Sequence, residues 1–167
     1  KIGLDFYFPK DICCGGILEE AGYEKQLRKL ARENKELLEN KKVKKIITNC
    51  PLCLNTFNNY KNLVPNWNIE AEFILKIISE KLLENPRLIK SYTYESLAYY
   101  DSCYLARHLE FTDIPRELIQ MLGYTIIELP KNREETLCCG SCGGLVETNQ
   151  ELADKIAVDF IKMLKRK

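Results

Sequence analysis

The order of apolar and polar positions predicts alternating strands and helices in the first half of the chain. Short apolar or β-branched runs predict strands, and the two runs cover residues 3–8 and 43–48. Apolar residues recur at helical spacing, with charged residues between them, over residues 17–40 and 71–83. Proline at position 51 suits the first turn of a further helix over residues 52–63. The first half is therefore predicted to run strand, helix, strand, helix, helix.

The second half continues this alternation. Residues 96–100 and 124–129 are apolar runs that predict strands. Residues 115–122 and 152–164 have amphipathic patterns that predict helices, and Gly123 is a typical stop for the first of them. Because strands and helices alternate, we expect an α/β fold with a small parallel or mixed sheet covered by helices.

A doubled motif indicates that the two halves are copies of one unit. The order of strand, proline, loop, Cys-Cys-Gly and helix occurs twice, with the adjacent cysteines at Cys13-Cys14 and Cys138-Cys139. This repetition predicts an internal duplication of one cysteine-bearing α/β unit. An Asn/Pro-containing stretch at residues 84–87 divides the units, which we place at residues 1–85 and 86–167.

Composition and charge exclude several classes of protein. The 167 residues are 46% hydrophobic, enough for one domain or two small halves packed together. A net charge of +1, from 25 basic and 24 acidic residues, gives no bulk field that favours nucleic acid. No apolar run approaches the roughly 18 residues that span a bilayer, and no signal segment opens the chain. We therefore expect a cytoplasmic protein without a transmembrane segment.

The cysteines suggest metal or redox chemistry. In a reducing compartment, eight cysteines favour metal ligands or redox groups over structural disulfides. Adjacent cysteines seldom bond to each other, whereas two thiolates on a glycine-permitted turn can reach different atoms of one metal cluster. The ligand spacing differs from that of a zinc ribbon, which has two CxxC pairs about 15–20 residues apart. Four cysteines on loops at strand ends are expected to converge at one sheet edge, namely Cys13, Cys14, Cys50 and Cys53.

These motifs resemble the cysteine-rich CCG domain family, whose repeat has one cysteine, then a double cysteine with glycine, then CxxC. Residues 11–16 and 48–53 look like the last two elements of one repeat. Residues 101–103 and 138–144 look like the first two elements of a second repeat, together with Arg107 and residues 115–116. The family includes two kinds of heterodisulfide reductase subunit, the B and D types. It also includes iron-sulfur subunits of anaerobic glycerol-3-phosphate, glycolate and lactate oxidation systems.

The resemblance implies an oxidoreductase subunit that carries an iron-sulfur cluster of 4Fe-4S or non-cubane type. Electrons would pass between a redox partner subunit, a flavin or iron-sulfur protein, and a quinone or thiol/disulfide substrate. No dinucleotide fingerprint is visible, so a flavin would belong to the partner. No residue is assigned a catalytic role. The implied cofactor ligands are Cys13, Cys14, Cys50, Cys53, Cys103, Cys138 and Cys139, with Cys142 as a further metal-binding thiol.

The chain departs from the family pattern in several places. The first repeat lacks its leading cysteine and the second lacks its closing CxxC, so we expect a stretch of a longer two-repeat protein. Ser102, Tyr104 and Ala106 stand where the family often has proline, histidine and glycine. Cys142 stands where a small residue is usual and creates a CxxC with Cys139. The second site is expected to be weaker, with its fourth ligand supplied by Cys142, a downstream segment or a partner.

Two other functions remain open at this stage. Zinc also favours thiolates, so residues 50–53 would suit half of a structural zinc site in a scaffold without redox activity. Cys139 and Cys142 would suit a metal-free dithiol oxidoreductase. The single histidine, His108, is interpreted as a surface residue, and the nine tyrosines as packing residues.

Overall fold

The computed structural model describes residues 3, 6–9 and 12–164 of the chain. Its first half contains four helices and two strands. In chain order they are α1 (Gly16–Glu20), α2 (Glu24–Asn40), β1 (Lys45–Thr48), α3 (Pro51–Leu63), β2 (Glu70–Phe73) and α4 (Ile74–Glu84).

The second half contains three α-helices, two strands and three short turns of other helical type. The α-helices and strands are β3 (Ser96–Tyr99), α5 (Asp113–Met121), β4 (Thr125–Glu128), α6 (Leu145–Thr148) and α7 (Gln150–Leu164). The 3-10 turns are Pro86–Leu88 and Arg133–Glu135, and a π-helical turn covers Tyr104–His108.

Each half contains one small sheet of two parallel strands. Strand β1 pairs with β2 and strand β3 pairs with β4. Helix α3 connects the first pair, and the π-helical turn followed by α5 connects the second. A parallel pair needs such a crossover connection, because a short turn cannot return the chain in the same direction. The α/β class is therefore confirmed, with helices flanking the strands. Over the described residues, however, the strands form two separate sheets and not one.

Three predicted elements differ from those observed. The predicted helix at residues 17–40 is divided in two, because the chain turns at Gly22 with φ of 76°. The predicted helix at residues 71–83 begins as β2, where pairing with β1 overrides the helical pattern. The predicted strand at residues 3–8 is not observed at Gly3 or at residues 6–8, which have no regular structure, while residues 4 and 5 lie outside the described part.

The core of the first half lies between α2 and α3. Leu27 and Ala31 of α2 pack against Phe57, Tyr60 and Leu63 of α3, and all five are buried. Cys14 belongs to the same cluster, at 6% exposure. One side of the double cysteine is therefore packed into the core.

A second apolar cluster joins the two halves. Leu54 of α3 and Phe73 of β2 pack with Leu105, which lies in the π-helical turn of the second half. The rings of Phe73 and Phe111 meet edge to face, with their centroids 5.3 Å apart. The halves thus share buried apolar surface. The division at residues 84–87 stays a prediction.

Candidate metal-thiolate sites

The four cysteines of the first half lie on two loops that approach each other. Cys13 and Cys14 lie immediately before α1, Cys50 lies at the N-terminus of α3, and Cys53 lies in the first turn of α3. The Cys14 and Cys53 sulfurs lie within hydrogen-bonding distance, 2.9 Å apart. Burial and Cys14 raise the pKa of Cys53, and the nearby Cys50 raises it further. Cys13 and Cys50 lie near enough to Cys14 that negative charge on either would raise the pKa of Cys14, in addition to the larger effect of burial. We call these four residues the first site.

Two glycines allow the loops of the first site to approach each other. Gly15 has φ of 78°, a conformation that side-chain-bearing residues rarely adopt. A Cβ added to Gly16 would lie 2.6 Å from Leu52 Cγ, so only glycine lets α1 sit against residues 50–53. The backbone N–H groups of Gly15 and Gly16 point at sulfur, 3.5 Å from Cys13 Sγ and 3.4 Å from Cys14 Sγ. Hydrogen bonds of this kind stabilise negative charge on a ligating sulfur.

A buried polar pair holds the backbone of the double cysteine. The Asn34 side-chain amide donates to the Cys13 carbonyl and to the Tyr60 hydroxyl, both at 2.8 Å. The Tyr60 hydroxyl in turn donates to the Cys14 carbonyl at 2.9 Å. Burial raises the pKa of Tyr60 to about 12, so this hydroxyl keeps its proton. Tyr60 therefore supports the site as well as packing in the core.

The supporting role of Asn34 and Tyr60 was not predicted from the sequence, although the position of Asn34 indicates it. Asn34 is a polar residue in the buried stripe of α2. The other members of that stripe are Leu27, Ala31 and Leu38. A buried polar side chain needs a hydrogen-bond partner, so its position predicts a specific contact.

Burial also acts on the thiols. It raises the pKa of Cys14 and of Cys53, and for Cys53 the hydrogen bond that its thiol shares with Cys14 raises it further. In the metal-free fold these two groups are therefore neutral thiols at pH 7. A bound metal takes the thiolate and displaces the proton.

Three cysteines of the second half also come together. Cys103 directly precedes the π-helical turn after β3. Burial raises the pKa of Cys103, and the nearby Cys138, on the loop after β4, raises it further. The Gly140 N–H lies 3.4 Å from Cys138 Sγ, which repeats the relation between Gly15 and Cys13. The Tyr100 hydroxyl lies near Cys103, Cys138 and Cys139, and burial, more than these thiols, raises the pKa of Tyr100 to about 12. We call the three cysteines the second site.

Cys142 lies beside the second site on an exposed turn. The Ser141 hydroxyl is 3.0 Å from Cys139 Sγ and 3.8 Å from Cys142 Sγ. The hydrogen bond from this hydroxyl lowers the pKa of Cys139. Cys142 itself is exposed. The structure thus places Cys142 next to Cys139, as its sequence spacing requires.

A buried ion pair fixes the loops of the second site to each other. Two nitrogens of the Arg116 guanidinium donate to the Asp101 carboxylate, each at 2.7 Å, and the third donates to Glu128 at 2.6 Å. Asp101 also accepts the Arg133 N–H at 2.7 Å, and its carbonyl accepts the Thr136 hydroxyl at 2.8 Å. Asp101 precedes Cys103 by two residues and Thr136 precedes Cys138 by two. The network therefore sets the spacing of the two loops.

The charge of Asp101 is stabilised despite its burial. Burial acts to raise the pKa of this carboxyl, but the hydrogen bonds from Arg116 and the Arg133 N–H outweigh it and lower the pKa. Asp101 and Arg116 stand out in the sequence only as matches to a family pattern. Their pairing could not be predicted from the sequence, because 15 positions separate them.

The gathered thiols are not arranged around a single metal ion. Within residues 12–164 and the described residues before them, no three His, Cys, Asp or Glu side chains form a group that could hold one ion. Two thiolates on one tetrahedral zinc, at about 2.3 Å each, lie about 3.8 Å apart, whereas Cys14 and Cys53 are 2.9 Å apart. Binding of either zinc or an iron-sulfur cluster would therefore require the Cys14 and Cys53 side chains to move apart. The all-sulfur donor set with N–H groups aimed at sulfur fits an iron-sulfur cluster.

Comparison with known proteins identifies the family. Residues 1–58 and 97–167 match the model of the cysteine-rich domain, CCG. The chain belongs to the cysteine-rich CCG domain family. No solved structure gave a significant match.

Curated relatives of the chain are oxidoreductases and iron-sulfur proteins. The probable iron-sulfur-binding oxidoreductase FadF of Bacillus subtilis is 33% identical over 86% of the chain and 20% of its own length. The EtfAB:quinone oxidoreductase of Syntrophomonas wolfei is 30% identical over 96% of the chain and 22% of its own length. One subunit of the dihydromethanophenazine:CoB–CoM heterodisulfide reductase of Methanosarcina mazei is 28% identical over 97% of the chain and 42% of its own length. The chain thus spans less than half the length of these relatives.

Among the described residues, no helix is both long enough and apolar enough to cross a membrane.

Proposed function

We propose that the chain is an electron-transfer segment of an iron-sulfur oxidoreductase and that the first site holds its cluster. The observation that carries this proposal is the approach of two cysteine-bearing loops, with the Cys14 and Cys53 sulfurs 2.9 Å apart although 39 positions separate them in sequence. The proposed ligands are Cys13, Cys14, Cys50 and Cys53. Relatives named as iron-sulfur proteins support the choice of iron over zinc.

The residues of the chain would tune the cluster as well as hold it. A cluster accepts and releases one electron at a time, and its potential depends on hydrogen bonds to sulfur and on solvent exposure. The N–H groups of Gly15 and Gly16 would stabilise the added negative charge on the thiolates. The burial of Cys14 against α2 and α3 would keep water from one side of the cluster.

The second site is proposed as a weaker metal site. Cys103, Cys138 and Cys139 supply three thiolates, and Cys142 is the thiol nearest in the chain that would supply a fourth. A ligand from another segment or from a partner would serve equally. No cysteine of the second site is buried, whereas Cys14 of the first site is, so the second site offers less protection from solvent.

We further propose that the partner is a redox subunit with a flavin or iron-sulfur cluster and that the terminal acceptor is a quinone or a disulfide. Reduction of either acceptor takes two electrons and two protons, giving a quinol or two thiols. The reduced partner would supply these electrons one at a time through the cluster. The printed names of two relatives, a quinone oxidoreductase and a heterodisulfide reductase, support these two acceptors.

Anaerobic reconstitution with iron and sulfide tests the proposal. Cys50→Ser and Cys53→Ser should each remove most of the iron and sulfide bound at the first site, because an alkoxide is a poor substitute for a soft thiolate. The matched control is Cys142→Ser, which makes the same change at an exposed position outside the first site. It should keep the absorption and the electron paramagnetic resonance signal of the first cluster. Unchanged iron and sulfide in both Cys50→Ser and Cys53→Ser would refute the assignment.

The same preparation separates the two alternative functions. Colourless protein with stoichiometric zinc would indicate a zinc-stabilised scaffold. Metal-free protein that forms a reversible disulfide between Cys139 and Cys142 would indicate a dithiol oxidoreductase, which the shared contact with Ser141 favours.

A further inference from the structure

One carboxylate connects the first half of the chain to the loop that carries Cys142. Glu20, the last residue of α1, accepts a hydrogen bond from the Tyr104 hydroxyl through one carboxylate oxygen. Its other oxygen accepts the backbone N–H of Gly143 at 3.3 Å. The partners lie 84 and 123 positions away in sequence, so these contacts are features of the assembled fold.

Each end of this bridge lies close to a candidate ligand. Helix α1 starts two residues after Cys14, Tyr104 follows Cys103 directly, and Gly143 follows Cys142 directly. A displacement of Glu20 would therefore move residues that are next to candidate ligands of both sites.

The helix that bears Glu20 is itself fixed to the first site. The neighbouring Glu19 accepts hydrogen bonds from Thr56 at 2.7 Å and from Asn59 at 2.5 Å, both on α3. Helix α3 also carries Cys53. Glu20 therefore lies on a helix that is hydrogen-bonded to α3, the helix that carries the first-site ligand Cys53.

The other end of the bridge lies on a loop with little packing. Ser141, Cys142 and Gly143 are all exposed, and a Cβ added to Gly143 would have no atom within 4 Å. Tyr104, in contrast, is held by stacking on the His108 ring, with the ring centroids 4.7 Å apart. The hydrogen bond to Glu20 is thus a contact that ties this exposed loop to α1.

We propose that Glu20 is a positioning residue that fastens the Cys142 loop to α1 and so holds the two cysteine sites in one fixed relation. The loop contact is a property of the metal-free fold. Its effect on iron at the second site rests on the proposed function.

Hydrogen exchange of the Gly143 amide in metal-free, reduced protein tests the contact directly. Glu20→Ala should accelerate this exchange about tenfold, because the amide loses its acceptor. Glu20→Gln removes the same charge but keeps a carbonyl acceptor, and its exchange rate should lie between those of the wild type and Glu20→Ala. Glu147→Ala is the matched control, because it removes a negative charge from an exposed position on α6, and it should leave the rate unchanged.

Two further measurements keep this test independent of the overall fold. Amides of β1 and β3 serve as internal references and should keep their protection in every variant. Tyr104→Phe removes the hydroxyl that orients Glu20 but keeps the ring stack, and it should also accelerate the Gly143 exchange. An unchanged Gly143 rate in Glu20→Ala or in Tyr104→Phe would overturn the proposal, as would an equal acceleration in Glu147→Ala.

Iron analysis of the same variants separates this proposal from the proposed function. If the second site binds iron, Glu20→Ala should bind less of it there while the first-site signal persists. Iron bound equally well by Glu20→Ala would overturn the claim that the contact positions the second site. If no variant binds iron but the Gly143 exchange responds as expected, the proposed function fails and the loop contact stands.

Discussion

A pair of polar residues supports each of the two sites, and the pair is neutral in the first site and charged in the second. In the first site, the neutral pair Asn34 and Tyr60 binds the carbonyls of the double cysteine. In the second, the charged pair Asp101 and Arg116 connects the two ligand loops. The stabilisation from a neutral pair does not depend on pH over the ordinary range, whereas the stabilisation from a buried ion pair does.

The ion pair makes stability depend on acid. Because the folded-state pKa of Asp101 is lowered, its stabilisation is present above the ordinary aspartate pKa of about 4 and is lost as pH falls through the folded-state pKa. Asp101→Asn removes one of the two carboxylates that pair with the buried Arg116, while Glu128 still pairs with it, and should cost about 1–3 kcal/mol near neutral pH. Urea unfolding at pH 7 and at decreasing pH measures both effects.

A matched variant isolates the role of burial. Asp159→Asn removes an exposed carboxylate that pairs with Lys162 on α7 and should change stability by less than about 1 kcal/mol. The stability difference between wild type and Asp101→Asn should shrink in acid. A difference that stays constant as pH falls would show that the Asp101 charge is not what the network stabilises.

At the scale of elements, glycine at position 16 controls how closely α1 approaches α3. Gly16→Ala would place a methyl group 2.6 Å from Leu52 Cγ, so that one element has to shift. We expect a loss of about 1–3 kcal/mol in unfolding free energy from this overpacking. Thermal or urea unfolding of the variant measures the loss.

A double-mutant cycle shows whether the close approach is the cause. Leu52→Ala removes the atoms that the new methyl group meets, so the double variant should be more stable than the sum of the single changes predicts. Additive effects would place the cost of Gly16→Ala elsewhere, for example in the backbone.

Local patterns in the sequence predicted the elements well where one pattern dominates. The strands at β1, β3 and β4 and the helices α3, α5 and α7 follow from β-branched runs, proline and amphipathic spacing. The start of β2 could not be predicted, because Glu70–Phe73 forms a strand only by pairing with Lys45–Thr48. That pairing depends on positions far apart in sequence.

In the candidate site, too, the residue types could be predicted from the sequence but the long-range contacts could not. Adjacent cysteines, glycines and CxxC identified the thiols, because their chemistry is visible in the residue types. Glu20 and Tyr104 could not be identified, since nothing in a lone glutamate or tyrosine names a partner 84 positions away.

At the scale of the whole molecule, the shared apolar cluster predicts that the halves unfold together. Leu54 and Phe73 of the first half are buried against Leu105 of the second, and separation would expose all three. Fluorescence of Trp67, the single tryptophan, reports on the first half, and amide exchange of β3 reports on the second. We expect coincident urea transitions for the two probes.

Phe111→Ala tests the cause of this coupling. It removes the ring that meets Phe73, and it should destabilise the protein by about 3 kcal/mol and separate the two transitions. Tyr94→Ala is a suitable control, because Tyr94 is 90% exposed. Two transitions already separate in the wild type would contradict a shared core.

The contact between Cys14 and Cys53 has a consequence for handling the protein. Two sulfurs 2.9 Å apart need only a small displacement to bond once one of them loses its proton, which their raised pKa values make slower at pH 7 than in alkali. An oxidant such as dioxygen would accept the two electrons and two protons released. A bond between them would close a loop from residue 14 to residue 53 and leave neither sulfur free for iron. The proximity that suits a cluster thus makes air a competitor of the metal, and preparation without a reductant would yield a chain blocked by its own ligands.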